Sequence, residues 1–130
     1  MNQPNLNMNV RQAGKGACIL DIKGEINAAA EPVLMDAYNQ ACSDGAKVIL
    51  MNFSDLKYMN SSGIGLLVTL LIRVRRQNQR LMAFGLNDHY RQIFELTRLN
   101  EAITIFDTES EAVQSVGGLM TTPRSGGVNE

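Results

Sequence analysis

Two serines and two glycines stand between apolar runs in YMNSSGIGLLVTLL (58–71). At the mouth of a helix, residues of these types support four kinds of chemistry: nucleophilic attack, phosphate cradling, anion binding and covalent modification. Nucleophilic catalysis needs a base and a group to orient it. His89 is the sole histidine and so the only candidate base for Ser61. No G-x-S-x-G elbow surrounds the serine, and no third group is evident. Gly63-x-Gly65 lacks the third glycine of a dinucleotide fingerprint, because position 68 is Val68 and no P-loop lysine follows. A helix N-terminus still attracts anions. Ser61 or Asn60 suits the cap of the helix that follows. By residue type alone the stretch reads as a plain helix cap rather than a catalytic site.

Other chemistry-bearing residues read as structural. Asp55, Asp88 and Asp107 fall at strand ends or turns, where aspartate is ordinary, so no metal is expected and no cofactor. Cys18 and Cys42 lack CxxC or metal spacing and read as buried reduced thiols. The seven methionines are scattered, as gap-filling core residues are. A net charge of −1 and a pI near 5.8 give no reason to expect nucleic-acid binding. The basic run RVRRQNQR (73–80) suits the end of a helix, where positive charge complements the dipole. MNQPNLNMNV has no signal pattern, and IGLLVTLLI is far shorter than a membrane span. A cytoplasmic protein with no membrane partner is expected.

The elements that must position the serines follow from periodicity. With 130 residues the chain makes one domain. MNVRQ (8–12) and ACILDIKGEI (17–26) flank a glycine-bearing turn and read as an antiparallel hairpin. A helix is expected over 27–45, with Asn27 as cap and Val33, Leu34, Ala37, Tyr38 and Ala41 as its apolar stripe. KVILMNF (47–53) has the continuous apolar character of a strand covered on both faces. A helix over 62–77 then places Ile64, Leu67, Val68, Leu71 and Val74 inward. A strand (80–86), a helix (89–100) with Ile93, Phe94 and Leu96 inward, a strand (103–107) and a helix (108–116) complete the domain. Thr108 stands three residues before Glu111, in capping-box spacing. The fold expected is α/β: a mixed sheet of about five strands, an N-terminal hairpin then alternating β and α, with helices on one or both faces. In such sheets functional loops lie beyond the carboxyl ends of the parallel strands, which puts 58–63 and 86–89 on one edge.

Residues 48–113 carry an ordered pattern: an apolar strand running into NSSGIG, a glycine-bearing strand, ELTRL and IFD, with GEIN (24–27) upstream. This pattern resembles the STAS domain of bacterial anti-sigma-factor antagonists, over roughly residues 8–116. Residues 1–7 then form an N-terminal extension, and the Gly/Ser/Thr/Pro-rich 117–130 a disordered tail. The resemblance implies a non-catalytic phosphoswitch. Ser61 matches the serine phosphorylated by a partner kinase that is also the anti-sigma factor. The unphosphorylated form binds that partner and frees a sigma factor, and a PP2C-type phosphatase resets it. Asn60, Ser62, Gly63 and Gly65 would shape the switch loop, with Asn27, Asn87 and His89 as rim contacts on a monomer or weak homodimer. Asn60 and Asn27 stand where the family usually has Asp. Alternative roles are a scaffold subunit of a STAS signalling assembly and a nucleotide- or anion-binding STAS module.

Overall fold

The structure, a computed structural model, describes residues 5–120, with side chains as far as Gly117. The strands are β1 (Leu6–Gln12), β2 (Ala17–Ile26), β3 (Val48–Met59), β4 (Arg80–Phe84) and β5 (Thr104–Phe106). The helices are α1 (Glu31–Ser43), α2 (Ser61–Arg76), α3 (Asp88–Leu96) and α4 (Glu109–Met120). Short 3-10 turns occupy Ala28–Ala30 and Leu99–Glu101.

The sheet has the order β1-β2-β3-β4-β5; β1 is antiparallel to β2 and every other pair is parallel. Strands that pair in sequence order, with crossovers of one hand, bring their crossover helices to one face. The side chains follow suit. Leu20 and Ile22 of β2, Ile49 and Met51 of β3, and Leu81 and Ala83 of β4 pack with Leu34 of α1, Leu67 and Leu70 of α2, and Phe94 of α3. Alternate residues point the other way: Ile19, Leu50, Met82 and Phe84 meet Ala112 and Val116 of α4. The strands are apolar on both faces because both faces are covered.

Outside that covered centre the structure departs from the sequence reading. The strand expected over 47–53 runs on to Met59, because its far half pairs with β2 alone, beyond the end of β4. Two irregularities of register, between Asp21 and Lys23 and between Gly24 and Glu25, accommodate the extension. The helix expected to reach residue 100 ends at Leu96. Thr97 Oγ1 donates back to the Ile93 carbonyl at 2.8 Å, and Arg98 turns left-handed with φ 63°. Leu96, expected inward, is 80% exposed, and Val68, expected in the α2 core stripe, is 40% exposed with Leu70 buried instead. β1 begins at Leu6 and α4 continues to Met120, so these two elements reach into the stretches expected as extension and tail. The rest of the expected extension and tail, 1–4 and 121–130, lies outside the described residues. The Thr108 cap forms as expected, its Oγ1 accepting the Glu111 N–H at 3.2 Å.

Candidate functional site

The carboxyl ends of β2 and β3 run directly into an asparagine-capped turn, and that of β4 reaches one after Gly85 and Leu86. Asn27 Oδ1 accepts the Ala29 N–H at 2.9 Å, Asn60 Oδ1 the Gly63 N–H at 2.9 Å, and Asn87 Oδ1 the Tyr90 N–H at 2.9 Å. Each cap satisfies a donor that the first turn of a helix leaves unpaired. Asparagine does this without adding charge, so the edge carries three caps and no cap carboxylate. Asn60, rather than Ser61, is the cap of α2. Ser61 is therefore the first helical residue, released from capping, and its side chain is exposed, as is that of Ser62.

The three loops are tied to one another. The Asn60 N–H donates to the Ile26 carbonyl at 3.3 Å, fastening the start of α2 to the end of β2 beside Asn27. The buried Met59 N–H donates to the Tyr90 hydroxyl at 2.9 Å, fastening the end of β3 to the first turn of α3. Tyr90 itself is buried, and His89 lies edge-on to it with ring centroids 4.9 Å apart. The fold thus brings Asn27, Asn60, Ser61, Ser62, Asn87 and His89 to one edge. Among the described residues His89 is exposed and makes no hydrogen bond to Ser61.

Gly63 and Gly65 have different tasks. A Cβ on Gly63 would collide with the Ile26 carbonyl oxygen and stand 2.7 Å from Met59 Cγ, so only glycine lets α2 start so close to β2. A Cβ on Gly65 would meet nothing within 4 Å. Gly63 thus serves internal packing, while Gly65 leaves open space on the surface of α2. Sequence reading also missed Tyr90 and the exposed Tyr58, 53% accessible two residues before Asn60. The one available signal was a tyrosine three residues after a capping asparagine.

One cluster of charges joins β1, β2 and α4, and the Arg91–Asp107 ion pair joins α3 to the residue after β5. Arg11 reaches Asp21 through Nε at 2.5 Å and Nη2 at 2.8 Å, and Glu109 of α4 through Nη2 at 3.0 Å and Nη1 at 3.2 Å. Hydrogen bonds from Arg11 hold the Asp21 carboxyl below its ordinary value, against the opposing effect of burial. Burial pushes the Cys18 thiol and the Tyr38 hydroxyl up. Among the described residues no group of His, Cys, Asp and Glu side chains could hold a metal ion, and no helix is long and apolar enough to cross a membrane.

An exposed serine at the first position of a helix, at the carboxyl edge of a five-stranded mixed sheet, is the geometry that the family comparison meets. The model of the STAS domain matches residues 7–112. The chain belongs to the STAS-domain family. Among curated relatives, this STAS chain is 26% identical over 107 residues to the anti-sigma-B factor antagonist of Listeria monocytogenes, covering 82% of this chain and 94% of the relative. Among solved structures it is similar to the Bacillus cell fate determinant SpoIIAA in the phosphorylated form, with a TM-score of 0.66, 21% identity and coverage of 85% and 99% of the two chains. It is also similar to a sulfate transporter family protein from Wolinella succinogenes, with a TM-score of 0.75, 16% identity and coverage of 86% and 93%. One STAS fold thus serves regulators and transporter-family proteins, and the role of a given member rests on its site.

Proposed function

We propose that this protein is an anti-sigma factor antagonist whose binding to an anti-sigma factor is controlled by phosphorylation of Ser61. The observation that carries the reading is the placement of Ser61: outside the cap, exposed, and at the N-terminus of α2. The similarity to the Listeria antagonist over nearly its whole length supports the choice of partner class. The protein is a cytoplasmic binding module, with its covalent state written by the anti-sigma factor acting as kinase and erased by a PP2C-type phosphatase.

The physics of the site suits that role. A phosphate on Ser61 brings about −1.5 to −2 charges. At the start of α2 this charge meets the positive end of the helix dipole, a favourable interaction of about 0.3–1 kcal/mol. Among the described residues the Asn60 side chain binds only the Gly63 N–H, and no acceptor pairs with the Ser61 and Ser62 N–H groups, which the first turn of the helix leaves available to phosphate oxygens. The fold therefore tolerates the modification. A partner does not: one like charge held about 4 Å away costs about 4 kcal/mol at an effective dielectric near 20, roughly a thousandfold in affinity. The switch acts at the interface and leaves the domain folded.

The test is intact mass and phosphosite mapping of the protein isolated from its native host in growth and under stress. The reading expects one phosphate, on Ser61, with an occupancy that changes between conditions. Ser61 unmodified in every condition, or the phosphate confined to Ser62, would overturn it.

A further inference from the structure

The face of a surface helix that points away from the core is ordinarily polar. In α2 it is not. The buried residues Gly63, Leu67, Leu70 and Val74 define the inward side. At ~100° per residue, Ser61, Gly65, Val68 and Ile72 fall within ~60° of one another on the opposite side. Val68 is 40% and Ile72 47% exposed, two of the four large apolar side chains that the described surface leaves open. Gly65 adds no bulk between them and Ser61. The stripe ends at Arg73, Arg75 and Arg76. None of these arginines is in an ion pair among the described residues, and α2 contains no acidic residue.

We infer that the outward stripe of α2, from Ser61 through Gly65, Val68 and Ile72 to the arginines, is a docking surface for an apolar segment with acidic flanks on the anti-sigma factor. The inference rests on the function proposed above and names the chemistry of the partner. Charge complementarity selects the occupant. Three unpaired cations at one end of an apolar ridge favour a segment with carboxylates at the matching end and disfavour a second α2 laid alongside in parallel, whose arginines would meet these. Apolar contact at Val68 and Ile72 supplies affinity, and the arginines supply register and a salt-sensitive association rate. Gly65 allows close approach of the partner backbone beside Ser61. A phosphate on Ser61 then lies at the head of the contact, where it faces the docked segment.

The experiment measures binding of the purified anti-sigma factor from the same host to four forms of the full chain: wild type, Ser61→Asp, the double variant Val68→Gln/Ile72→Gln, and the double variant Arg75→Gln/Arg76→Gln. Both double variants replace exposed residues with good helix formers, and thermal melting verifies that each remains folded. The inference expects the apolar double variant to lose at least about tenfold in affinity, the size of effect seen for an interface anchor. The arginine double variant should bind more weakly at low salt and show a flatter salt dependence. Loss of binding in Ser61→Asp with undiminished binding in both folded double variants would overturn the docking surface and leave the phosphoswitch standing. Absence of binding by the wild type would remove both. A wild-type dimer in sedimentation that Val68→Gln/Ile72→Gln converts to monomer would assign the stripe to a second copy and overturn the inference.

Discussion

The hydroxyl of Tyr90 accepts the backbone N–H of Met59 at 2.9 Å, in a buried position one residue before the cap of α2. The bond joins the end of β3 to the first turn of α3. It also occupies a backbone donor that β4 cannot reach, because the β3–β4 ladder ends at Asn52 and Phe84. Tyr90→Phe removes the acceptor and leaves the Met59 N–H buried and unpaired. The variant should lose about 1–3 kcal/mol of stability in urea unfolding. Hydrogen exchange at Met59 should accelerate more than exchange at Leu50 in the covered centre of the sheet. Equal stability of variant and wild type would show that the bond does not hold the edge together.

The two motif glycines should respond oppositely to alanine. Gly63→Ala drives a methyl group into the Ile26 carbonyl and toward Met59, so either α2 shifts outward or the sheet edge opens. A loss of about 1–3 kcal/mol, typical of overpacking, is expected. Gly65→Ala meets open space in a helix interior and should gain about 0.5–1 kcal/mol from propensity alone. Thermal denaturation of the two variants side by side checks the pair. Similar destabilisation by both would contradict the separate roles assigned to them.

Much of this was legible in the sequence, and the illegible parts share a cause. The alternation of strands and helices, the Thr108 cap and the placement of 58–63 beside 86–89 all follow from local pattern, whereas Asn27 caps a 3-10 turn and the α-helix expected to start from it begins only at Glu31. What local pattern cannot carry is which tertiary neighbour stands opposite a residue. Ser54, Asp55, Lys57 and Tyr58 look like loop residues, yet they extend β3 because β2 continues beside them. Val68 and Leu70 are both apolar and two residues apart, and only the packing against the sheet decides that Leu70 is buried and Val68 exposed. Asn60 and Ser61 are equally good caps by type, and the backbone turn at Ile26 selects the asparagine. Gly63 and Gly65 are indistinguishable until the Ile26 carbonyl is placed.

The cap itself can be tested for charge. Asn60→Ala removes the acceptor for the Gly63 N–H and should cost about 1 kcal/mol. Asn60→Asp keeps the acceptor and adds a negative charge at the start of α2, worth about 0.3–1 kcal/mol of stabilisation at low ionic strength. That gain should shrink as salt is added. Urea unfolding at two salt concentrations reads both effects. An aspartate variant less stable than wild type would show that the asparagine amide makes a contact beyond the cap.

Acid should loosen the far side of the molecule first. The Asp21 carboxyl titrates below its ordinary value when folded, chiefly through its hydrogen bonds from Arg11. On unfolding it returns to about 3.9, so in the acid range the unfolded chain binds more protons than the folded one. The stabilisation is fully present above about pH 4 and disappears as pH falls through the lower folded value. Asp21→Asn should therefore reduce stability at neutral pH and flatten the acid limb of the stability curve, since the asparagine has no proton to gain. Parallel curves for the two proteins between about pH 2 and 5 would contradict the linkage.

The central claim is that Ser61 governs a contact and not the fold. The most direct measurement is the affinity of the purified anti-sigma factor for this protein before and after stoichiometric phosphorylation at Ser61, with melting temperatures of both forms. The account predicts that affinity falls by roughly a thousandfold, while the midpoint does not fall and rises by up to a few degrees, as a charge favourable to the helix dipole requires. Equal affinity for the two forms would contradict it, and so would a loss of affinity accompanied by unfolding of the phosphorylated domain.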